Sequence, residues 1–187
     1  MEFHRRRLPH WQPSGKNLFL TWHLDGSLPR NRFPPPGALS SGQAFVWLDR
    51  YLDKAQCGPI WLAREEIARL VVDAIQYGAN QLRHYDLHAY VVMANHVHVL
   101  ILPLVSPSKL LQSVKGFSAK EANKLLGRTG QAFWQAESYD HWIRDEPEFE
   151  RVRRYIEHNP VRAGLVTKPE DYRWSSGHAG SKAVVAG

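Results

Sequence analysis

The stretch YVVMANHVHVLIL, residues 90–102, alternates like a strand, yet its centre is polar: Asn95, His96 and His98 break a run of Val, Leu and Ile. The pattern predicts two strands, 86–93 and 97–103, joined by a tight connection at Ala94 and Asn95, with one continuous bent strand as the alternative. Side chains two apart on a strand leave the same face. His96 and His98 therefore project together, while Val97 and Val99 point the other way, into the core. Two imidazoles on one face suit a single metal ion held through ring nitrogens. The same spacing also fits two histidines on a solvated sheet face.

Working outward, NLFLTWHL (17–24) reads as a first strand with Leu18, Leu20, Trp22 and Leu24 on one side. Residues 25–43 are rich in Pro, Gly and Ser and read as a loop; the Pro-rich part, 28–42, is long for a connection without structure of its own. A short helix is expected over 44–55. A longer one covers 64–84, where Ile67, Leu70, Val71, Ala74, Ile75 and Leu82 form a stripe. Another helix runs over 107–126, with Leu110, Val114, Phe117 and Leu125 as its buried side and Gly127 as its stop.

A fourth strand is expected over 131–143. The last helix opens at Asp145 as N-cap, with Pro147 in the first turn and Glu148 in capping-box position. NPVRAGLV (159–166) reads as a separate turn of helix, capped by Asn159 and ended by Gly164. The order strand, helix, two strands, helix, strand is that of an α+β, ferredoxin-like β-α-β-β-α-β antiparallel sheet with one more helix at the C-terminal end.

Composition narrows the function. The chain has 187 residues, 43% hydrophobic and 22% charged, which is one domain of ordinary globular make-up. A single cysteine, Cys57, leaves no internal disulfide and no cysteine-based zinc site. No apolar run approaches the roughly 20 residues of a membrane span, and the basic N-terminus lacks the apolar stretch of a secretory signal. Cytoplasmic residence without membrane association is the expectation. The net charge of +6, with a pI of about 9.6, favours polyanions such as nucleic acid. Arg5, Arg6 and Arg7 in a basic arm, and Lys115, Lys120 and Lys124 along one helix, are candidate phosphate contacts.

On the last helix Phe149, Val152 and Ile156 make the apolar stripe, and Tyr155 sits on its flank. Arg151, Arg153 and Arg154 lie nearby. A phenol among guanidinium groups suits phosphate chemistry, although an amphipathic helix with a charged outer side has the same look. Asn159, four residues after Tyr155, offers a hard oxygen that would complete a site with the two histidines. His158, Glu137 and Asp140 are substitute ligands.

At these residues the sequence resembles a known family. HVHVLI (96–101) resembles the His-hydrophobic-His signature of the HUH single-tyrosine transposases, and RRYIEHNPVRAGLV (153–166) is similar to their tyrosine segment. FWQAESYDHWIRDEPEF (133–149) and YRWSSGHAG (172–180) resemble the REP-associated tyrosine transposase branch. The resemblance implies that His96, His98 and Asn159 bind Mg²⁺ or Mn²⁺ and that Tyr155 is the nucleophile. Arg5, Arg6, Arg7, Lys115, Lys120, Lys124, Arg151 and Arg154 would then contact the nucleic acid. It also implies single-stranded DNA with palindromic or hairpin elements as substrate, cut and rejoined through a 5′-phosphotyrosine without ATP, by a monomer or homodimer. Residues 1–15 would be a flexible basic arm, 16–176 the catalytic domain and 177–187 a disordered tail. Two other readings stay open: a non-catalytic single-strand or hairpin binder derived from such an enzyme, and a hydrolase using the histidines as acid and base.

Overall fold

A computed structural model describes residues 15–28, 49–54 and 58–181. Its elements are β1 (Leu18–His23), α1 (Glu65–Asn80), β2 (Tyr85–Val92), β3 (His96–Pro103), α2 (Pro107–Leu125), β4 (Tyr139–Trp142) and α3 (Glu146–Arg162). Residues 49–53 are helical as well. The arm that carries Arg5–Arg7, most of the Pro-rich segment and the first half of the 44–55 helix fall outside the described residues.

The strands lie in the order β2-β3-β1-β4, every neighbouring pair antiparallel. This is the ferredoxin-like sheet that the element order predicts. Alternation explains its two layers. Leu18, Leu20, Trp22, Val97, Val99 and Ile101 face one way and pack with Ile67, Val71 and Ile75 of α1 and Leu110 and Val114 of α2. Phe19, Ala89, Val91 and Leu100 face the other way, against Ile156 and the flank of α3. Both faces of β1 and β3 are therefore covered, and His96 and His98 are buried under α3 rather than solvated.

The β2–β3 hairpin closes where Met93 N–H donates to His96 O at 2.8 Å. Asn95, at its turn, donates through Nδ2 to Leu52 O at 3.1 Å, which ties the 49–53 helix to the hairpin. At the start of α3, Asp145 Oδ1 accepts from Glu148 N–H at 2.8 Å, the expected N-cap. Glu148 reaches past the cap to accept from Arg144 N–H at 2.8 Å instead of closing a capping box.

Four expectations change. The fourth strand shrinks to Tyr139–Trp142, because Phe133 and Trp134 turn into the core, where Trp134 Nε1 donates to Ser118 Oγ at 2.9 Å. On α2 the buried side is Leu110, Leu111, Val114, Ser118 and Ala122, so Phe117 is 54% exposed and Leu125 also faces solvent. The polar Ser118 takes the inner place because its hydroxyl has partners there, Trp134 and Val114 O. Asn159 is not a cap: α3 runs on through Pro160 to Arg162, and neither amide atom of Asn159 has a hydrogen-bond partner among the described residues. A cap requires the side-chain oxygen to accept from the following turn. Finally, the described part of the expected tail, residues 177–181, is held to the fold, with His178 Nδ1 on Glu170 O at 2.7 Å and Ser181 Oγ donating to Ser175 O at 2.8 Å, while residues 182–187 lie outside the described residues. Gly164, with φ +73, stops the helical turn as expected, although that turn is the last of α3 rather than a separate one.

Candidate active site

The β1–β3 register pairs Thr21 with His98 and His23 with His96. Thr21 Oγ1 hydrogen-bonds His98 Nδ1 at 2.7 Å, and Asn95 Oδ1 bonds His96 Nδ1 at 2.7 Å. Because Asn95 spends its Nδ2 on Leu52 O, its oxygen is the atom facing His96 and can only accept. His96 Nδ1 therefore carries the ring hydrogen, and Nε2 offers a lone pair. The ring is fully buried, and burial, with the neighbouring His98, pushes its pKa down to about 3.

Opposite the two Nε2 atoms stands Asp49. Its Oδ1 is 2.9 Å from His98 Nε2 and 3.7 Å from His96 Nε2. Asp53 Oδ1, one helical turn on, is also 3.7 Å from His96 Nε2. Burial pulls the Asp49 carboxyl upward, but His98, His96 and Arg162 outweigh it and hold Asp49 below the usual carboxylate range. Asp53, buried and facing Asp49, is pushed up to about 6.

Two carboxylates aimed at a neutral imidazole lone pair repel unless a cation lies between them. His96 Nε2 and Asp53 Oδ1 are both buried without a hydrogen-bond partner among the described residues. Asp49, His96 and His98 each offer one donor atom, all within 4.8 Å of one another, so this group can hold a metal ion. Mixed imidazole and carboxylate donors suit a divalent ion. Of the substitutes, His158 is exposed, with Nδ1 on Arg154 O at 3.0 Å, and Glu137 is exposed on the segment before β4.

α3 brings the phenol to the same carboxylate. Tyr155 Oη donates to Asp49 Oδ2, and its ring lies 5.8 Å from the His98 ring and 6.3 Å from Phe19. Arg162 stacks over the Tyr155 ring at 4.6 Å, with its Nη2 3.9 Å from Asp49 Oδ2. Tyr155, Asn159 and Arg162 follow the i, i+4, i+7 rule for one helix face. Contacts at both ends of that face reach Asp49, so the buried amide of Asn159 between them is on the site's side of α3.

The sequence profile of the family described as "Transposase IS200 like" matches residues 62–159, more than half of the chain. The chain belongs to the IS200-like transposase family. The match takes in His96, His98 and Tyr155 and ends on Asn159, whereas Asp49 and Arg162 lie outside it. A solved REP-associated tyrosine transposase bound to a REP hairpin is similar over 94% of this chain and 82% of the other, with TM-score 0.54 and 20% identity. That likeness is one of fold. A crystal structure from Deinococcus radiodurans R1, provisionally described as a transposase, matches 85% of this chain and 98% of its own at 17% identity and TM-score 0.43. No curated protein matches the sequence.

In this transposase the expected nucleic-acid contacts fall in two places. Lys115, Lys120 and Lys124 are on α2, across the sheet from Tyr155. Burial takes the Lys115 ammonium down to about 8, and it donates to Gln135 O at 2.8 Å and Ala136 O at 3.2 Å, pinning the segment before β4. Lys120 is exposed, and Lys124 pairs with Glu121. Arg151 and Arg154 are exposed on α3; Arg151 is 3.5 Å from Glu148, and Arg154 bonds Glu150 O. Among the described residues, no helix is long and apolar enough to cross a membrane.

Asp49, Asn95 and Arg162 are the site residues that sequence reasoning missed. Asn95 had a signal, as a polar residue beside His96 in an apolar run. Asp49 had none, since an aspartate on a short helix reads as solvated.

Proposed function

We propose that this transposase cuts and rejoins single-stranded DNA beside a hairpin or palindrome through a 5′-phosphotyrosine at Tyr155, as a member of the REP-associated branch. One observation carries the reading: the Tyr155 hydroxyl and both imidazoles meet on the single buried carboxylate of Asp49. The solved relative with the similar fold holds a REP hairpin, and the basic surface of this chain suits the same class of ligand.

His96 Nε2, His98 Nε2 and Asp49 Oδ1 would hold a divalent ion, Mg²⁺ or Mn²⁺, with Asn159 Oδ1 as a further donor. When bound, the ion supplies a Lewis acid for the phosphoryl oxygens. The remaining chemistry belongs to side chains. A phenol has a reference pKa of about 10 and needs a proton acceptor within hydrogen-bond reach at neutral pH; Asp49 Oδ2 is that atom. Tyr155 Oη bonds to phosphorus as the P–O3′ bond breaks, and the phenolic proton passes to Asp49. The departing 3′-oxygen takes a proton from solvent. Phosphodiester energy is retained in the O–P bond, so a free 3′-hydroxyl can reverse the step and join strands. Thr21 and Asn95 keep both imidazoles oriented throughout.

The test is incubation with labelled single-stranded hairpin DNA and Mn²⁺ or Mg²⁺, followed by a denaturing gel. A covalent adduct is expected, lost in Tyr155→Phe and in the His96→Ala/His98→Ala double variant. An adduct that survives Tyr155→Phe means that another residue attacks. Tight hairpin binding with no adduct in either metal selects the non-catalytic binder.

A further inference from the structure

Four arginines lie on α3, and three are committed to that helix's own surface. Arg151 is paired with Glu148 at 3.5 Å, and Arg153 with Glu150 at 2.7 Å and Glu157 at 3.3 Å. Arg154 Nε donates to Glu150 O at 3.4 Å. Arg162 differs. Its guanidinium lies over the Tyr155 ring with Asp49 Oδ2 at 3.9 Å, its charge also acts on Asp53, and it makes no hydrogen bond among the described residues. Its side chain is 37% exposed, whereas that of Asp49 is wholly buried. Arg162 thus stands between solvent and the buried half of the site, beside the ring of the nucleophile.

We propose that Arg162 binds the phosphodiester that Tyr155 attacks, holding it over the phenolic oxygen and countering the charge that builds on the phosphoryl oxygens. The assignment rests on the strand-transfer reading above. A guanidinium presents five N–H donors in a plane. With its face on Tyr155 and one edge toward Asp49, donors remain for an anion arriving from solvent, in the forked geometry that matches two phosphate oxygens. Asp49 gives such a group a task, because its Oδ2 beside the nucleophile repels an incoming phosphodiester. Arg162 offsets that repulsion at the point of entry and exchanges no bond or proton in the step. Position in the last turn of α3 also favours a cation there.

Arg162→Ala and Arg162→Lys are compared with wild type and Tyr155→Phe in single-turnover adduct formation on hairpin DNA with Mn²⁺, alongside hairpin affinity by fluorescence anisotropy. Arg162→Ala is expected to slow adduct formation by about 100-fold or more, the loss typical of one transition-state donor, with affinity changed by less than about threefold because one phosphate contact among many is lost. Lysine, and added ethylguanidinium on the alanine variant, each restore part of the rate; ethylguanidinium does nothing for Tyr155→Phe. A misfolded variant would not respond to it. The assignment falls, and the strand-transfer reading stands, if Arg162→Ala keeps its rate within about threefold of wild type while Tyr155→Phe is dead. It falls also if the loss is answered by neither lysine nor ethylguanidinium. Absence of any adduct from the wild-type protein removes the cleavage reading and this assignment together.

Discussion

The Tyr155 hydroxyl donates to Asp49 Oδ2 across 106 positions of sequence, and the other oxygen of the same carboxylate lies 2.9 Å from His98 Nε2. One side chain therefore links the nucleophile to the imidazole pair. A change at Asp49 acts on both halves of the site, whereas a change at Asp53 acts on one.

Removing an outer partner of a metal ligand typically costs about 10- to 100-fold in metal affinity. Asp49→Ala removes a donor of the group itself, so Mn²⁺ binding is expected to weaken by at least about 100-fold, with no phosphotyrosine adduct. Asp53→Ala is expected to stay within about 10- to 100-fold. Titration calorimetry with Mn²⁺ separates the two, and an Asp49→Ala protein that binds Mn²⁺ like wild type would take Asp49 out of the site.

Asn159 has both amide atoms buried without a partner among the described residues. An unpaired buried polar group costs about 1–3 kcal/mol. Asn159→Leu keeps the shape and removes that cost, so in chelator the Tm is expected to rise by about 2–12 °C. Added Mn²⁺ should then raise the Tm of the variant less than that of wild type, because a donor is gone. A drop of several degrees in chelator would show that the amide already has a partner in the metal-free protein.

Acid stability contains two opposed contributions. His96 has its pKa lowered from 6.5 to about 3, so between those values the unfolded chain binds the extra proton and stability is lost as pH falls. Asp53 has its pKa raised from 3.8 to about 6, so there the folded protein binds the extra proton and stability is gained as pH falls. Asp53→Asn removes the second contribution. Its Tm in chelator is expected to fall more steeply than that of wild type between pH 6 and 4, and parallel melting curves for the two proteins would refute the assignment.

Gly78 sits inside α1, where alanine would ordinarily add about 1 kcal/mol. Here a Cβ would meet the Tyr85 hydroxyl at 2.5 Å, and that hydroxyl is held by its bond to Ile75 O at 2.6 Å. Gly78→Ala is therefore expected to destabilise by about 1–2 kcal/mol, since overpacking outweighs propensity. Urea denaturation should show the loss, and adding Tyr85→Phe should return part of it.

Local pattern carried much of the reading where one residue fixes its own surroundings. Asp145 as N-cap and Gly164 as terminator follow from single-residue preferences and hold in the structure. Phe117 and Ser118 do not follow, because a helical stripe set by hydrophobicity ignores the hydroxyl partner waiting at Trp134. Pro160 reads as a break, yet α3 continues through it, with Pro160 and the neighbouring Ile156 and Asn159 packed in the interior.

The sequence by itself determined that His96 and His98 share a face, that the strands and helices alternate as a split β-α-β unit, and that Tyr155 sits on the flank of an apolar stripe. These depend on periods of two and 3.6 residues, which are properties of neighbours in the chain. Only the tertiary structure decided that the shared face lies under α3 and that Asp49 closes the histidine group. It also decided that Arg162, rather than the arginines adjacent in sequence, covers the phenol. The Asp49 contacts join residues tens of positions apart, and although Arg162 is only seven positions from Tyr155, no local pattern encodes which face of α3 meets the sheet or which buried carboxylate the two will trap between them.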